Sequence, residues 1–409
     1  MQEVAITGIG VISPLGMDPQ AVADSLLRKR SGIGALDLPG LGRPFPVAAV
    51  PGDFEEPFTK MERPFLDRIA RMSVLAARQA SEQAGFANYS TFSERAGVFF
   101  GTGRGGVMTE WEASRVFYED VSRQAKPYVL MASMANAATS QISIRQQIFG
   151  PTATHTSACS SSGSAIIDAC RYIQAGQLDV ALAGGGEATL ADIFLRQWEG
   201  LRAVAEVAED PATSCRPFAK ERTGLVLGEG SVFFVLESVE HARSRGAEIL
   251  AFVSGYGIAS DAHHIGAPHA RGQVAAMRAA LRSGGLTPAD LDYINAHATG
   301  TRGGDPVEIA AIRDVIGEEA ARIPVSSTKA LHGHLLGAAS AMEMLVCVLA
   351  ARGRFVPATA HLSEVSPDCQ GVVHVQETLR DRSIRYAMSM SAGFGGTNVA
   401  LIVRSGDIG

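Results

Sequence analysis

Short apolar runs of strand length alternate with stretches of helical periodicity along nearly the whole chain, and this alternation restricts its fold more than any other feature. Val4–Ile12, Ala96–Phe100, Asp179–Ala183 and Ser231–Leu236 read as buried strands. Helical spacing covers about Pro19–Arg30, Asp67–Ala84 and the stretch from Ala165 to a stop at Gly176. Ser31–Thr59, rich in Gly and Pro, reads as an irregular excursion. From Ile249 the pattern restarts, with strands near 250–258, 293–296, 325–327, 386–391 and 398–403 and helices near 271–284, 306–316 and 335–352. Strands alternating with helices on this plan predict an α/β protein with largely parallel sheets covered by helices. Two similar halves are expected, residues 1–248 and 249–409.

Composition narrows the function. A net charge of −6 and a pI near 6.0 leave no electrostatic footprint for nucleic acid, and no polybasic cluster marks a lipid-binding surface. The apolar helix from Leu335 towards Ala351 contains Glu343, which makes it a core helix rather than a membrane span. Five scattered cysteines, 159, 170, 215, 347 and 369, lack the spacing of a zinc or redox motif, so no metal is expected and a reducing cytoplasm is the natural setting. The first residues have no basic n-region, which speaks against a signal peptide. Gly101-Thr102-Gly103-Arg104-Gly105-Gly106 matches neither a phosphate loop nor a dinucleotide fingerprint.

Four polar clusters stand at predicted strand ends. Cys159 follows a strand and precedes a helix, where exposed amides and the helix dipole are expected to lower a thiol's pKa. His297 lies in Asn295-Ala296-His297-Ala298-Thr299-Gly300-Thr301, just past a buried strand. Lys329 and His334 lie in Ser326-Ser327-Thr328-Lys329-Ala330-Leu331-His332-Gly333-His334, ahead of the long helix. Gly393-Phe394-Gly395-Gly396-Thr397-Asn398 joins the last two strands as a glycine turn. Each has a bland reading on its own, as a buried thiol, a structural histidine, a solvated lysine or a plain turn. Their joint occurrence around one set of strand ends points to a nucleophile.

With Arg216-Pro217-Phe218 and Gly228-Glu229-Gly230, these stretches resemble the β-ketoacyl-acyl carrier protein synthases, ketosynthases of the elongating synthase II type, over nearly the whole length. The resemblance implies the thiolase fold, two βαβαβαββ halves in a five-layer α-β-α-β-α sandwich. It implies fatty acid chain extension by acyl transfer to Cys159 and decarboxylative Claisen condensation with a malonyl unit. The N–H groups of Cys159 and Phe394 would form the oxyanion hole, and His297 and His334 would stabilise the enolate. His334, placed at a helix N-terminus, is expected to be neutral. Lys329 would act as a supporting charge, with Glu343, two turns into its helix, and Asn398 behind the site, and Phe394 would be a gate hinged on its glycines. No cofactor is implied, because both substrates ride on the phosphopantetheine arm of an acyl carrier protein. The expected assembly is a homodimer, or a heterodimer with a ketosynthase paralogue.

Some residues depart from the family pattern. Ala298, Thr223 and Ala392 replace the family's glycine, aspartate and phenylalanine, and Arg104 stands where an apolar residue lines the acyl pocket. An unpaired guanidinium along an alkyl tunnel would cost several kcal/mol, so either Arg104 points elsewhere or the pocket takes something short, polar or rigid. These departures lean towards a specialised polyketide or aryl polyene pathway. A non-catalytic chain-length-factor-like partner would lack Cys159. A thiolase would need a second cysteine in a terminal Cys-x-Gly motif, which is missing.

Overall fold

Every residue of the first strand, β1 (Val4–Ile12), is buried, so both its faces must be covered. The computed structural model, which describes residues 3–406, covers them with helices on either side of a large mixed sheet. After β1 come α1 (Arg68–Gln83), β2 (Ala96–Gly101), α2 (Ala137–Gln146), β3 (Thr152–His155), α3 (Ser161–Gln174), β4 (Val180–Glu187), α4 (Asp192–Gly200) and β5 (Gly230–Ser238). The C-terminal part runs β6 (Ala251–Ser260), α5 (Ala270–Gly284), β7 (Tyr293–Asn295), α6 (Gly304–Ile316) and β8 (Pro324–Ser326). It continues through α7 (Lys329–His332) and α8 (Ala339–Gly353) to β9 (Tyr386–Ala392) and β10 (Thr397–Ser405).

The strands lie in the order β3-β2-β4-β5-β1-β6-β10-β9-β7-β8, with a short edge strand, Val373–His374, beyond β8. Counted from its own first strand, each half therefore has the order 3-2-4-5-1. In each, the 3-2 and 2-4 pairs are parallel and the 4-5 and 5-1 pairs antiparallel. The expectation of largely parallel sheets is thus corrected to mixed ones. The reason is local: the Gly393–Gly396 turn joins β9 to β10 directly, and a parallel pair would need a long crossover there.

The duplication extends to side chains. Gly8 and Gly10 of β1 press against Ala80 and Ala76 of α1, and Gly255 and Gly257 of β6 press against Ala280 and Ala276 of α5. A Cβ on any of these glycines would fall on the facing alanine's carbonyl oxygen. Three apolar cores stack through the molecule. One joins α1 and α2 to the N-terminal strands, and one joins α5 and α6 to the C-terminal strands. The largest packs α3 and α8 between the two sets of strands. The layers are therefore α-β-α-β-α.

The central helix begins later than its apolar pattern suggests. Gly333 at φ +65° ends α7, and Leu336 at φ +47° interrupts the run, so residues 336–338 form a 3-10 turn before α8. The apolar run Leu336–Gly353 is 89% buried inside the fold, which makes it the core helix expected.

Candidate active site

Beyond β3 the chain bends through Ala158, at φ +52°, into a 3-10 turn (Ala158–Ser160) that runs directly into α3. Hydrogen bonds hold the bend. Ser157 N donates to Ser161 Oγ (2.9 Å), Ser161 Oγ to Ala158 O (2.6 Å) and Ser340 Oγ to Cys159 O (3.3 Å). Cys159 sits in this turn and is only 5% exposed. The helix start does not win at its sulfur. Burial pushes the Cys159 thiol up to about 11, against Lys329 and the N–H groups of Phe394 and Cys159 itself, which favour the thiolate. The expected lowering is corrected: desolvation in a dry turn outweighs the amides.

His334 Nε2 lies 2.9 Å from Cys159 Sγ. His334 occupies the bend between α7 and α8, with its own N–H donating to Val226 O at 2.7 Å, and is not at the start of the long helix. It is neutral for a different reason from the expected dipole. Burial, then the charge of Lys329, holds it well below the usual histidine range. His297 meets the His334 ring edge-on, with centroids 5.2 Å apart and planes at 84°, and is depressed by the same causes in the same order.

Lys329 opens α7 and is fully buried. Its Nζ lies 3.4 Å from His297 Nδ1 and forms an ion pair with Glu343, whose other carboxylate oxygen accepts from Ser391 Oγ at 3.0 Å. Because α8 starts at Ala339, Glu343 stands one turn into its helix, not two. An ammonium has only donors, so His297 Nδ1 is the acceptor and a neutral His297 carries its hydrogen on Nε2. The ligand atoms of Cys159, His297 and His334 lie within 4.8 Å of one another, a metal-like spacing, but the Lys329 charge beside His297 opposes a cation there.

Asp305, in the first turn of α6, and Glu308, three residues further on, were not singled out by sequence reasoning. Glu308 accepts from the N–H groups of His297 (2.6 Å) and Ala298 (2.7 Å), and Asp305 accepts from those of Thr299 and Gly300 (both 3.2 Å). Burial raises both carboxyls, Asp305 to about 6. The available signal was an Asp-x-x-Glu pair at a helix start shortly after His297. These two acids fix the backbone that carries the histidine.

Phe394 is 44% exposed, in a turn whose following glycines sit at φ +85° and +82°. Its ring stacks on Trp198 at 5.5 Å and 26°. Asn398 does not reach the reacting groups. Its Nδ2 donates to Gly396 O (3.0 Å) and Asp261 Oδ1 (2.8 Å), which ties the turn to the 261–269 loop. Cys159, His297, His334, Phe394, Trp198 and Ala392 share one cavity of about 870 Å³, and Thr223 also lines it.

Comparison with known proteins identifies the family. The family model of the beta-ketoacyl synthase N-terminal domain matches residues 1–242, and that of the C-terminal domain matches 250–363. The chain belongs to the β-ketoacyl synthase family. It is 41% identical to Nodulation protein E of Rhizobium meliloti (strain 1021), over 98% of each chain. It is 37% identical to 3-oxoacyl-[acyl-carrier-protein] synthase 2 of the same strain, over 99% of each. The ishigamide ketosynthase/chain length factor superposes with a TM-score of 0.91 at 31% identity, covering 99% of both chains. A ketosynthase solved with its type II PKS acyl-carrier protein superposes at 0.89 with 25% identity, again over 99% of both. The chain is thus a condensing acyltransferase with the thiolase fold.

In this synthase Arg104 takes the first of its two alternatives. Its side chain is exposed, stacks over the Phe194 ring at 5.0 Å and reaches Gln197 Oε1 at 3.5 Å, both on α4, and does not line the Cys159 cavity. The Gly103–Arg104 backbone is held instead by buried Glu187, which accepts from Gly103 N (2.7 Å), Arg104 N (3.2 Å) and Gly337 N (3.0 Å). Burial raises Glu187 to about 7. Trp198 and Glu187 were both missed by sequence reasoning. Trp198 is one of two aromatics a turn apart on α4, a spacing that also suits plain packing, and Glu187 reads as no more than the polar end of a strand.

Proposed function

We propose that Cys159 is the nucleophile of this condensing enzyme and that His297 and His334 act on the second substrate. The observation that carries the reading is the 2.9 Å contact between Cys159 Sγ and His334 Nε2 beside a second neutral imidazole on one cavity wall. In the first stage a bond forms between Sγ and the carbonyl carbon of an acyl thioester. The carbon–sulfur bond to the carrier arm breaks, and the thiol proton ends on the departing carrier thiol. The N–H groups of Cys159 and Phe394, both directed at Sγ, receive the transient oxyanion. With its pKa at about 11 the thiol is held protonated at rest, and deprotonation accompanies attack.

In the second stage a malonyl thioester loses carbon dioxide, and the electron pair of the broken bond becomes an enolate. Neutral imidazoles suit this step: they donate to the thioester oxygen without the proton transfer that an imidazolium would invite. Nε2–H of His297 is one such donor, because Lys329 occupies Nδ1. The enolate carbon attacks the acyl-Cys159 carbonyl, a carbon–carbon bond forms, the carbon–Sγ bond breaks, and the departing thiolate takes a proton from solvent. The chain grows by two carbons, and no cofactor takes part.

Acyl carrier protein is the proposed bearer of both substrates, supported by the similarity to a ketosynthase solved with such a carrier. The proposed setting is the cytoplasm, in line with five unpaired, buried cysteines. A second copy or a ketosynthase paralogue is proposed to pair at β3, which among the described residues has a strand neighbour on one side only and is flanked by exposed Ile144 and Phe149. A specialised acyl or polyketide pathway is the second reading, favoured over bulk fatty acid synthesis by the similarity to Nodulation protein E and to the ishigamide ketosynthase/chain length factor.

The test is intact-mass spectrometry after incubation with acyl carrier proteins bearing different chains. An acyl adduct on the wild type that Cys159→Ala lacks, with condensation lost and the melting temperature kept, supports the reading. Undiminished β-ketoacyl product from Cys159→Ala would end it.

A further inference from the structure

Two aromatic rings share the wall of the Cys159 cavity, and they differ in how firmly they are held. Trp198 belongs to α4, whose inner side packs into an apolar cluster with Leu41, Leu195 and Leu225. The same helix is clasped from outside by Arg104, through Phe194 and Gln197. Phe394 sits in a turn whose following glycines, Gly395 and Gly396, have φ of +85° and +82°, and it is 44% exposed. Of the stacked pair, then, Trp198 is the fixed platform and Phe394 the ring with room to move. The indole face that Phe394 covers lies at the wall of the cavity that holds Cys159, so displacing the phenyl ring would uncover it there.

We infer that Trp198 is a specificity-determining residue that selects acyl groups planar near the thioester, such as conjugated enoyl or dienoyl chains. The inference rests on the acyl-transfer reading of Cys159. A face vacated by a phenyl ring at stacking separation is matched in thickness and polarisability by a run of sp² carbons. A saturated chain, puckered at every carbon, meets the same face through fewer close contacts. Arg104 fits this picture from outside the cavity. Its guanidinium does not face the acyl group but stacks on Phe194, one helical turn before Trp198 on the helix that carries the platform.

The test uses two synthetic thioesters of equal length, hexanoyl-pantetheine and 2,4-hexadienoyl-pantetheine. In both, the Sγ–acyl bond forms, the bond to the pantetheine sulfur breaks and the thiol proton passes to pantetheine. Rates of Cys159 acylation are read by intact mass for wild type, Trp198→Phe and Trp198→Leu. Conjugation alters thioester reactivity by itself, so the quantity read is the change in the dienoyl-to-hexanoyl rate ratio between proteins. Each protein is its own control for folding. Loss of the flat face in Trp198→Leu should lower the ratio by about three- to tenfold, the range of an aromatic stack, and Trp198→Phe should keep most of it. An unchanged ratio in Trp198→Leu, or an equal fall in both variants, overturns the inference and leaves the acylation reading standing. If neither thioester acylates wild-type Cys159, the acylation reading fails and this inference with it.

Discussion

Replacing Lys329 with methionine removes one member of an ion pair whose side chains are both 1% exposed. Glu343 would then keep Ser391 Oγ, at 3.0 Å, as its remaining side-chain partner in a buried region. An uncompensated buried charge of this kind costs about 3–5 kcal/mol, a large part of the roughly 5–15 kcal/mol that holds a folded chain together. Removing both charges in Lys329→Met/Glu343→Gln leaves no orphan, and buried pairs replaced by neutral groups are often close to neutral in stability. The double variant should therefore be more stable than Lys329→Met alone, with a coupling of about 2 kcal/mol or more. Urea unfolding of the four proteins at one protein concentration measures this. Condensation should not return with stability, because His297 Nδ1, 3.4 Å from Nζ in the wild type, still lacks its donor. Single-variant costs that add to within about 0.5 kcal/mol would refute the pairing argument. A double variant with wild-type condensation would refute the role given to the Lys329–His297 contact.

Further outcomes follow from other buried groups. His332 is held down to about 3 by burial, so its folded pKa lies below its unfolded one. Its contribution to stability is present above pH 6.5 and lost as pH falls towards 3. Integrated from the half-protonated unfolded state at pH 6.5, wild type should lose about 1.6 kcal/mol more than His332→Gln between pH 6.5 and 5. Parallel acid limbs in urea titrations would dispose of this. Gly10→Ala and Gly257→Ala should each lower stability by about 1–3 kcal/mol, because the new methyl meets a helix carbonyl. A neutral result at either site, read by thermal melting, would argue against that close approach. Glu308→Ala frees the backbone N–H groups of His297 and Ala298. It should slow malonyl decarboxylation at least about tenfold more than acylation of Cys159, because displacing a reacting group by a fraction of an ångström is costly. Equal losses in the two half-reactions would count against the positioning role.

The alternation of strand and helix was legible because apolar runs and helical periodicity are local properties of the sequence. So was the glycine turn at 393–396, since the φ of +85° and +82° at Gly395 and Gly396 is what glycine permits. The duplication was half legible. The Gly-x-Gly of β1 and of β6, each followed by a helix with Ala-x-x-x-Ala, could have exposed it, but only packing shows that those glycines and alanines touch. The antiparallel pairs were lost because periodicity does not record direction. Only the shortness of the 393–396 link carried that information.

At the site, residue identity announced Cys159, His297, Lys329 and His334, because few other side chains can do nucleophilic and hydrogen-bonding work at strand ends. What identity could not decide was each group's charge state. From sequence, Cys159 belonged to a helix start and should have been acidified, and His334 should have been neutral by the same dipole. Tertiary structure buries both, so desolvation governs the pair. It raises the thiol and lowers the imidazole, because taking a charge out of water costs more than a few amides return. The sequence determined which groups are present and in what order two similar halves deliver them. Only the packed structure decided which atoms meet, that Arg104 turns outward onto α4, and that Trp198 stacks on Phe394 at the cavity wall. Those outcomes depend on residues far apart in the chain sharing one dry space, and no local pattern encodes that.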